Sequence, residues 1–285
     1  MAQTMTPSAS GDDLTRRTFS ALTVAAGVAG VAGLAQAAEV TATDVTYKTT
    51  DGTVDAALFH PSGKGQWPGV LFFPDAFGLR PATRDMGRRL AAQGYVVLVV
   101  NQFYRNGTAA TVPGPLNFAD PADMAKFTAL RAVLTQEAVA RDTVAAVAYL
   151  DSLPATNSMA RIGVQGYCMG GPMTLQAAAA SPRIGASASF HGGGLTTDAP
   201  NSPHLLAPKI QAVSYFGVAD DDDRKQPDSK DKLRTAYAAA GKTAKIEVYP
   251  GALHGWTMKD SDKYNEAAAE RAWSELLALY KQALV

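Results

Sequence analysis

A chain of 285 residues, 47% of them hydrophobic, can bury a sizeable core, which excludes a disordered chain. Its 26 basic and 26 acidic residues balance, so composition gives neither a nucleic-acid footprint nor a polybasic membrane patch, and a small, modestly charged ligand fits better. The single cysteine, Cys168, cannot form a disulfide within its own chain, so it is buried, reactive or paired between chains.

The chain opens with a polar stretch leading into Thr15-Arg16-Arg17-Thr18-Phe19-Ser20. An Ala- and Gly-rich run, Ala21 to Leu34, and the small-residue site Ala35-Gln36-Ala37 follow. Residues 1–38 thus resemble a twin-arginine export signal, which predicts a mature chain beginning near Ala38 in the periplasm or outside the cell. A run dominated by Ala and Gly partitions poorly into lipid, so cleavage is expected rather than retention as an anchor, leaving no stable membrane association. Residues 39–285 contain no linker or internal repeat and read as one domain, a monomer or a small homo-oligomer.

Along those residues short apolar runs alternate with helical patterns. Strands are expected at Val54-Phe59, Val70-Pro74, Tyr95-Asn101, Ile162-Gly166, Ala186-His191, Ile210-Gly217 and Lys245-Tyr249. Several are continuously apolar, the mark of strands covered on both faces. Helices are expected at Pro81-Gln93, Asp123-Leu150, Gly170-Ala180, Asp231-Gly241 and Asp262-Leu284, with Gly94 and Gly241 as C-terminal stops. This order predicts an α/β fold, a doubly wound, mostly parallel sheet flanked by helices, with its site at the carboxyl ends of the strands.

Cys168 falls where a predicted strand turns into a predicted helix, in Gly166-Tyr167-Cys168-Met169-Gly170-Gly171. Such an elbow holds a nucleophile in strained backbone and needs small neighbours so that strand and helix can approach. A helix N-terminus and a neighbouring histidine both favour the thiolate. Downstream, Asp220 closes a predicted strand and His254 follows another, so the order Cys168, Asp220, His254 gives nucleophile, orienting acid and base. Asp220 is favoured over Asp221 because it closes the strand, and the run Asp220 to Asp223 lacks the ligand spacing of a cation loop. The oxyanion hole is expected from the backbone N–H groups of Met169 and Ala76, the latter in the loop Phe73 to Leu79. His191 also follows a strand and is expected to line the pocket or bond to backbone.

These pieces, GYCMGG, FGVAD, LHGW, DAFGLRP and VVLVVNQFYR, together resemble the dienelactone hydrolase family over residues 45–283. The resemblance implies an α/β-hydrolase fold and a Cys168-Asp220-His254 triad. It further implies that Asp75 influences the resting thiol and that Arg105 helps to hold a substrate carboxylate. Two departures stand out. Family members that act on dienelactone carry glutamate in place of Asp75, and a second arginine where this chain has Met258, so half of a carboxylate clamp is missing and a neutral or larger ester or lactone is expected. Tyr167 and Trp256, like Phe77, Phe103 and Tyr104, fit either pocket wall or ordinary core.

The activity expected is hydrolysis of activated esters or lactones through a Cys168 thioester, without metal or organic cofactor. A catalytically silent binding protein on the same fold and a periplasmic redox thiol are the alternatives. The first would be favoured by a missing triad member, and the second lacks a resolving cysteine.

Overall fold

A computed structural model describes residues 39–114 and 116–284; the expected export signal at residues 1–38 lies outside them. Eight strands form one open mixed sheet: β1 (Val40–Thr49), β2 (Gly52–Pro61), β3 (Gly69–Phe73), β4 (Val96–Val100), β5 (Ile162–Tyr167), β6 (Ile184–Phe190), β7 (Val213–Ala219) and β8 (Ala244–Tyr249). Their spatial order is β1-β2-β4-β3-β5-β6-β7-β8. The β1/β2 and β2/β4 pairs are antiparallel, and every later neighbour pair is parallel. This is the arrangement of the α/β-hydrolase fold.

The central strands are apolar on both faces because both faces are covered. In β3, Val70 and Phe72 join one core with Leu90 of α1 (Pro81–Ala91) and Leu276 of α7 (Glu266–Ala283). Leu71 and Phe73 point the other way, into a second core with Leu150 of α3 (Gln136–Ser152), Leu175 of α4 (Gly170–Ala180) and Leu233 of α6 (Ser229–Ala239). The two-residue period of a strand sorts these side chains, so one short segment supplies both layers.

Three elements differ from the sequence expectation. Strand β1 is an edge strand of mostly polar, solvent-facing residues and carries no apolar signature. The helix expected over 123–150 is two helices, α2 (Pro121–Ala132) and α3, because the Thr135 hydroxyl accepts from Ala138 N–H and caps a new start. A short helix, α5 (Asp220–Lys225), begins directly after β7 and turns the aspartate run into helix. Four acidic side chains in a first turn suit the positive end of a helix.

Candidate active site

At the end of β5 the chain reverses into α4 within three residues, and Cys168 takes a left-handed backbone at φ 51°. A Cβ at Gly166 would collide with the Gly170 carbonyl, and one at Gly170 with the Phe73 carbonyl, so only glycine allows the approach. The elbow is held from several sides. Cys168 N–H donates to Phe190 O at 3.0 Å and to His191 Nδ1 at 3.1 Å, while Cys168 O accepts from Gly171 N–H at 3.0 Å and Gly193 N–H at 3.3 Å.

His254, on the loop after β8, is fixed by the α5 aspartates. Its backbone N–H donates to Asp221 Oδ1 at 2.8 Å, and its Nδ1 lies 2.5 Å from Asp222 Oδ2. Burial alone would lower the His254 pKa, but the hydrogen bond to Asp222 and the adjoining Cys168 side chain override it and push it up to about 10. Asp222 therefore holds the proton on Nδ1 and leaves the other ring nitrogen for the sulfur. Cys168 and His254 both open onto a cavity of about 890 Å³, lined also by Ala76, His191 and Met258. Among the described residues, the N–H groups of Ala76 and Met169 donate to no protein acceptor, which leaves both available to a ligand.

A family model described as the dienelactone hydrolase family matches residues 54–284. The chain belongs to this family. A candidate carboxymethylenebutenolidase of Escherichia coli K12 is 27% identical over 223 residues, covering 76% of this chain and 78% of that protein. One from Synechocystis is 27% identical over 249 residues, covering 86% and 98%. The crystal structure of a candidate dienelactone hydrolase from Klebsiella pneumoniae superposes with a TM-score of 0.76 at 24% identity, covering 86% of this chain and 99% of that one.

In this dienelactone hydrolase family member the aspartate on His254 is Asp222, which corrects Asp220. Strand β7 runs to Ala219, so Asp220 starts a helix rather than a loop. Helical phase then carries Asp222 to the imidazole, while Asp220 pairs with Arg224 one turn on. Arg105 is also corrected, since it does not reach the cavity. Its guanidinium makes two hydrogen bonds of 2.8 Å to Asp142 in α3 and two, of 2.6 and 3.2 Å, to Asp51 in the β1–β2 turn, and stacks on Tyr104. Tyr167 and Trp256 are core residues and do not line the Cys168 cavity. Tyr167 stacks on Phe190, and Trp256 stacks on Tyr249 and meets His191 edge-on.

Asp75 does line the cavity, with its carboxylate committed to Arg80 and to Phe77 N–H at 3.0 Å. Burial pushes its pKa up against the pull of that guanidinium. His191 is fully buried at φ 40° and lines the cavity beside His254, ring centroids 5.1 Å apart. Burial and the His254 charge push its pKa well down, so the ring is neutral. Because its Nδ1 accepts from Cys168 N–H, the proton sits on Nε2 and is donated to Thr257 Oγ1 at 2.7 Å. Thr257 and Asp260 belong to no motif in the sequence, whereas Arg80 lies within DAFGLRP and Asp222 within the aspartate run, where neither stretch shows what these side chains pair with.

Proposed function

We propose that the protein is a cysteine hydrolase of activated carboxylic esters or lactones, with Cys168 as nucleophile, His254 as base and Asp222 as the orienting acid. The observation that carries this reading is the strained Cys168 elbow beside a basic His254–Asp222 pair, with Cys168 and His254 both on the wall of a ligand-sized cavity. The carboxymethylenebutenolidase names of its relatives point to the same reaction class.

His254 takes the proton of Cys168, and the thiolate adds to the substrate carbonyl. The N–H groups of Met169 and Ala76 receive the charge that develops on the carbonyl oxygen. The tetrahedral species collapses as His254 returns the proton to the departing alcohol or enol, leaving an acyl thioester on Cys168. His254 then deprotonates a water, which attacks the thioester; the acid is released, and the proton goes back to sulfur. An enol leaving group tautomerises and does not return, which suits a nucleophile that is itself a good leaving group. Unactivated amides are expected to be poor substrates.

The test is release of p-nitrophenol from p-nitrophenyl acetate by the wild-type protein and by Cys168→Ala. Turnover by wild type alone supports the assignment, and equal rates in both sink it. The Thr15 to Ser20 motif further supports action outside the cytoplasm after export in the folded state. No helix among the described residues is long and apolar enough to cross a membrane. Replacing Arg16 and Arg17 by lysine and fractionating the cells tests export, with retention in the cytoplasm the expected result.

A further inference from the structure

Among the described residues, the cations lining the Cys168 cavity, histidines apart, are Arg80 and Lys263, and both are already paired. Every donor of the Arg80 guanidinium has an acceptor. Nη1 gives to Asp75 Oδ1 at 2.6 Å and Gly78 O at 3.3 Å, Nη2 to Asp75 Oδ2 and Asp260 Oδ1 at 3.0 Å each, and Nε to Asp260 Oδ2 at 2.6 Å. Lys263 meets its neighbour Asp262 at 2.6 Å, in an exposed pair that water screens. Three carboxylates, Asp75, Asp260 and Asp262, therefore face two cations. Much of the remaining wall is apolar, formed by Phe77, Leu79, Val112, Phe118 and Met258.

The two carboxylates on Arg80 are not equivalent. Asp75 is buried behind the guanidinium, whereas the Asp260 side chain is 44% exposed on the loop beyond His254. Asp260 takes two of the Arg80 hydrogen bonds that a bound anion would need. We propose that Asp260 is a specificity-determining residue that acts as a built-in competitor for Arg80, so the site takes neutral, apolar acyl groups and discriminates against esters that carry a carboxylate. A carboxylate-bearing substrate would have to break two charge-assisted hydrogen bonds and leave the Asp260 charge beside its own. This inference rests on the hydrolase reading above.

The test compares kcat/KM for p-nitrophenyl hexanoate and for its ω-carboxylate counterpart, mono-p-nitrophenyl adipate, in wild type, Asp260→Asn and Asp262→Asn. Wild type is expected to favour the hexanoate about tenfold or more. Asp260→Asn removes the charge and one of the two acceptors that Asp260 holds on Arg80, and is expected to shift the ratio toward the adipate by about tenfold, mainly through KM. Asp262→Asn removes the same charge from the same cavity without freeing Arg80, and is expected to shift the ratio less than threefold. Wild-type preference for the adipate, a shift below threefold in Asp260→Asn, or an equal shift in Asp262→Asn overturns the proposal while leaving the hydrolase reading intact. Wild type as inert as Cys168→Ala on both esters overturns the hydrolase reading itself.

Discussion

Asp222 Oδ2 lies 2.5 Å from His254 Nδ1, while Asp220, two residues earlier on the same short helix, faces Arg224. Two residues along an α-helix turn the side chain by more than half a circle, so the two carboxylates cannot share a target. The contrast puts one carboxylate on the imidazole and the other in a surface ion pair within one tetrapeptide.

Asp222→Asn is accordingly expected to lower kcat for p-nitrophenyl acetate by roughly a thousandfold, because the amide no longer holds the imidazole in the required tautomer. Asp220→Asn is expected to stay within about threefold of wild type, since it breaks only an exposed i,i+4 pair. Comparable losses in both variants would remove the assignment of Asp222.

The parts of the site that could be read from sequence sit at strand ends and depend on local chemistry. Gly166 and Gly170 announce an elbow around Cys168 because only glycine fits those two positions, and His254 follows a recognisable strand. Asp222 was hidden because the choice among four consecutive aspartates depends on where β7 stops and a helix begins, a boundary that composition does not fix. Arg105 was misplaced for a different reason. Its partners lie 54 and 37 residues away in sequence, and only the packing of the β1–β2 turn against α3 brings them to it. Strand β1 was missed because an edge strand with one solvated face need not be apolar.

The pH dependence of stability follows from His254. Its pKa is raised to about 10 in the folded protein, above its usual value of roughly 6.5. A raised pKa stabilises the fold fully below the unfolded value, and this contribution falls away as pH rises toward the folded value. The difference in urea-unfolding free energy between wild type and His254→Gln is therefore expected to be largest near pH 6 and to shrink progressively toward pH 10. A difference that grows with pH would contradict the arrangement.

Thr257 gives the buried His191 ring its only partner at Nε2 among the described residues. Thr257→Val leaves that N–H unpaired in the core and is expected to destabilise the protein by about 1–3 kcal/mol, whereas Thr257→Ser keeps the hydroxyl and is expected to lose much less. Chemical denaturation of both variants makes the comparison. Equal losses would show that the methyl group, not the hydrogen bond, is what matters there.

Arg105 ties the β1–β2 turn to α3 through the exposed Asp51 and the half-buried Asp142. Arg105→Met leaves the Asp142 carboxylate without its bidentate partner and is expected to cost about 1–3 kcal/mol. Because the residue lies off the cavity, KM for p-nitrophenyl esters is expected to change less than about twofold. An unchanged stability with a large rise in KM would return Arg105 to the substrate.

The elbow gives the sharpest contrast between positions of one residue type. Gly166→Ala would drive a methyl group into the Gly170 carbonyl, and strand β5 cannot retreat because it is hydrogen-bonded to β3 and β6 on either side. Overpacking against backbone rather than a movable side chain is expected to cost more than about 3 kcal/mol and to leave little folded protein. Gly193→Ala, only two residues past the cavity-lining His191, meets nothing within 4 Å and is expected to stay within about 0.5 kcal/mol of wild type. Thermal unfolding of the two variants checks both. A stable Gly166→Ala protein with wild-type turnover would mean that strand and helix do not close around Cys168 as tightly as the elbow geometry requires.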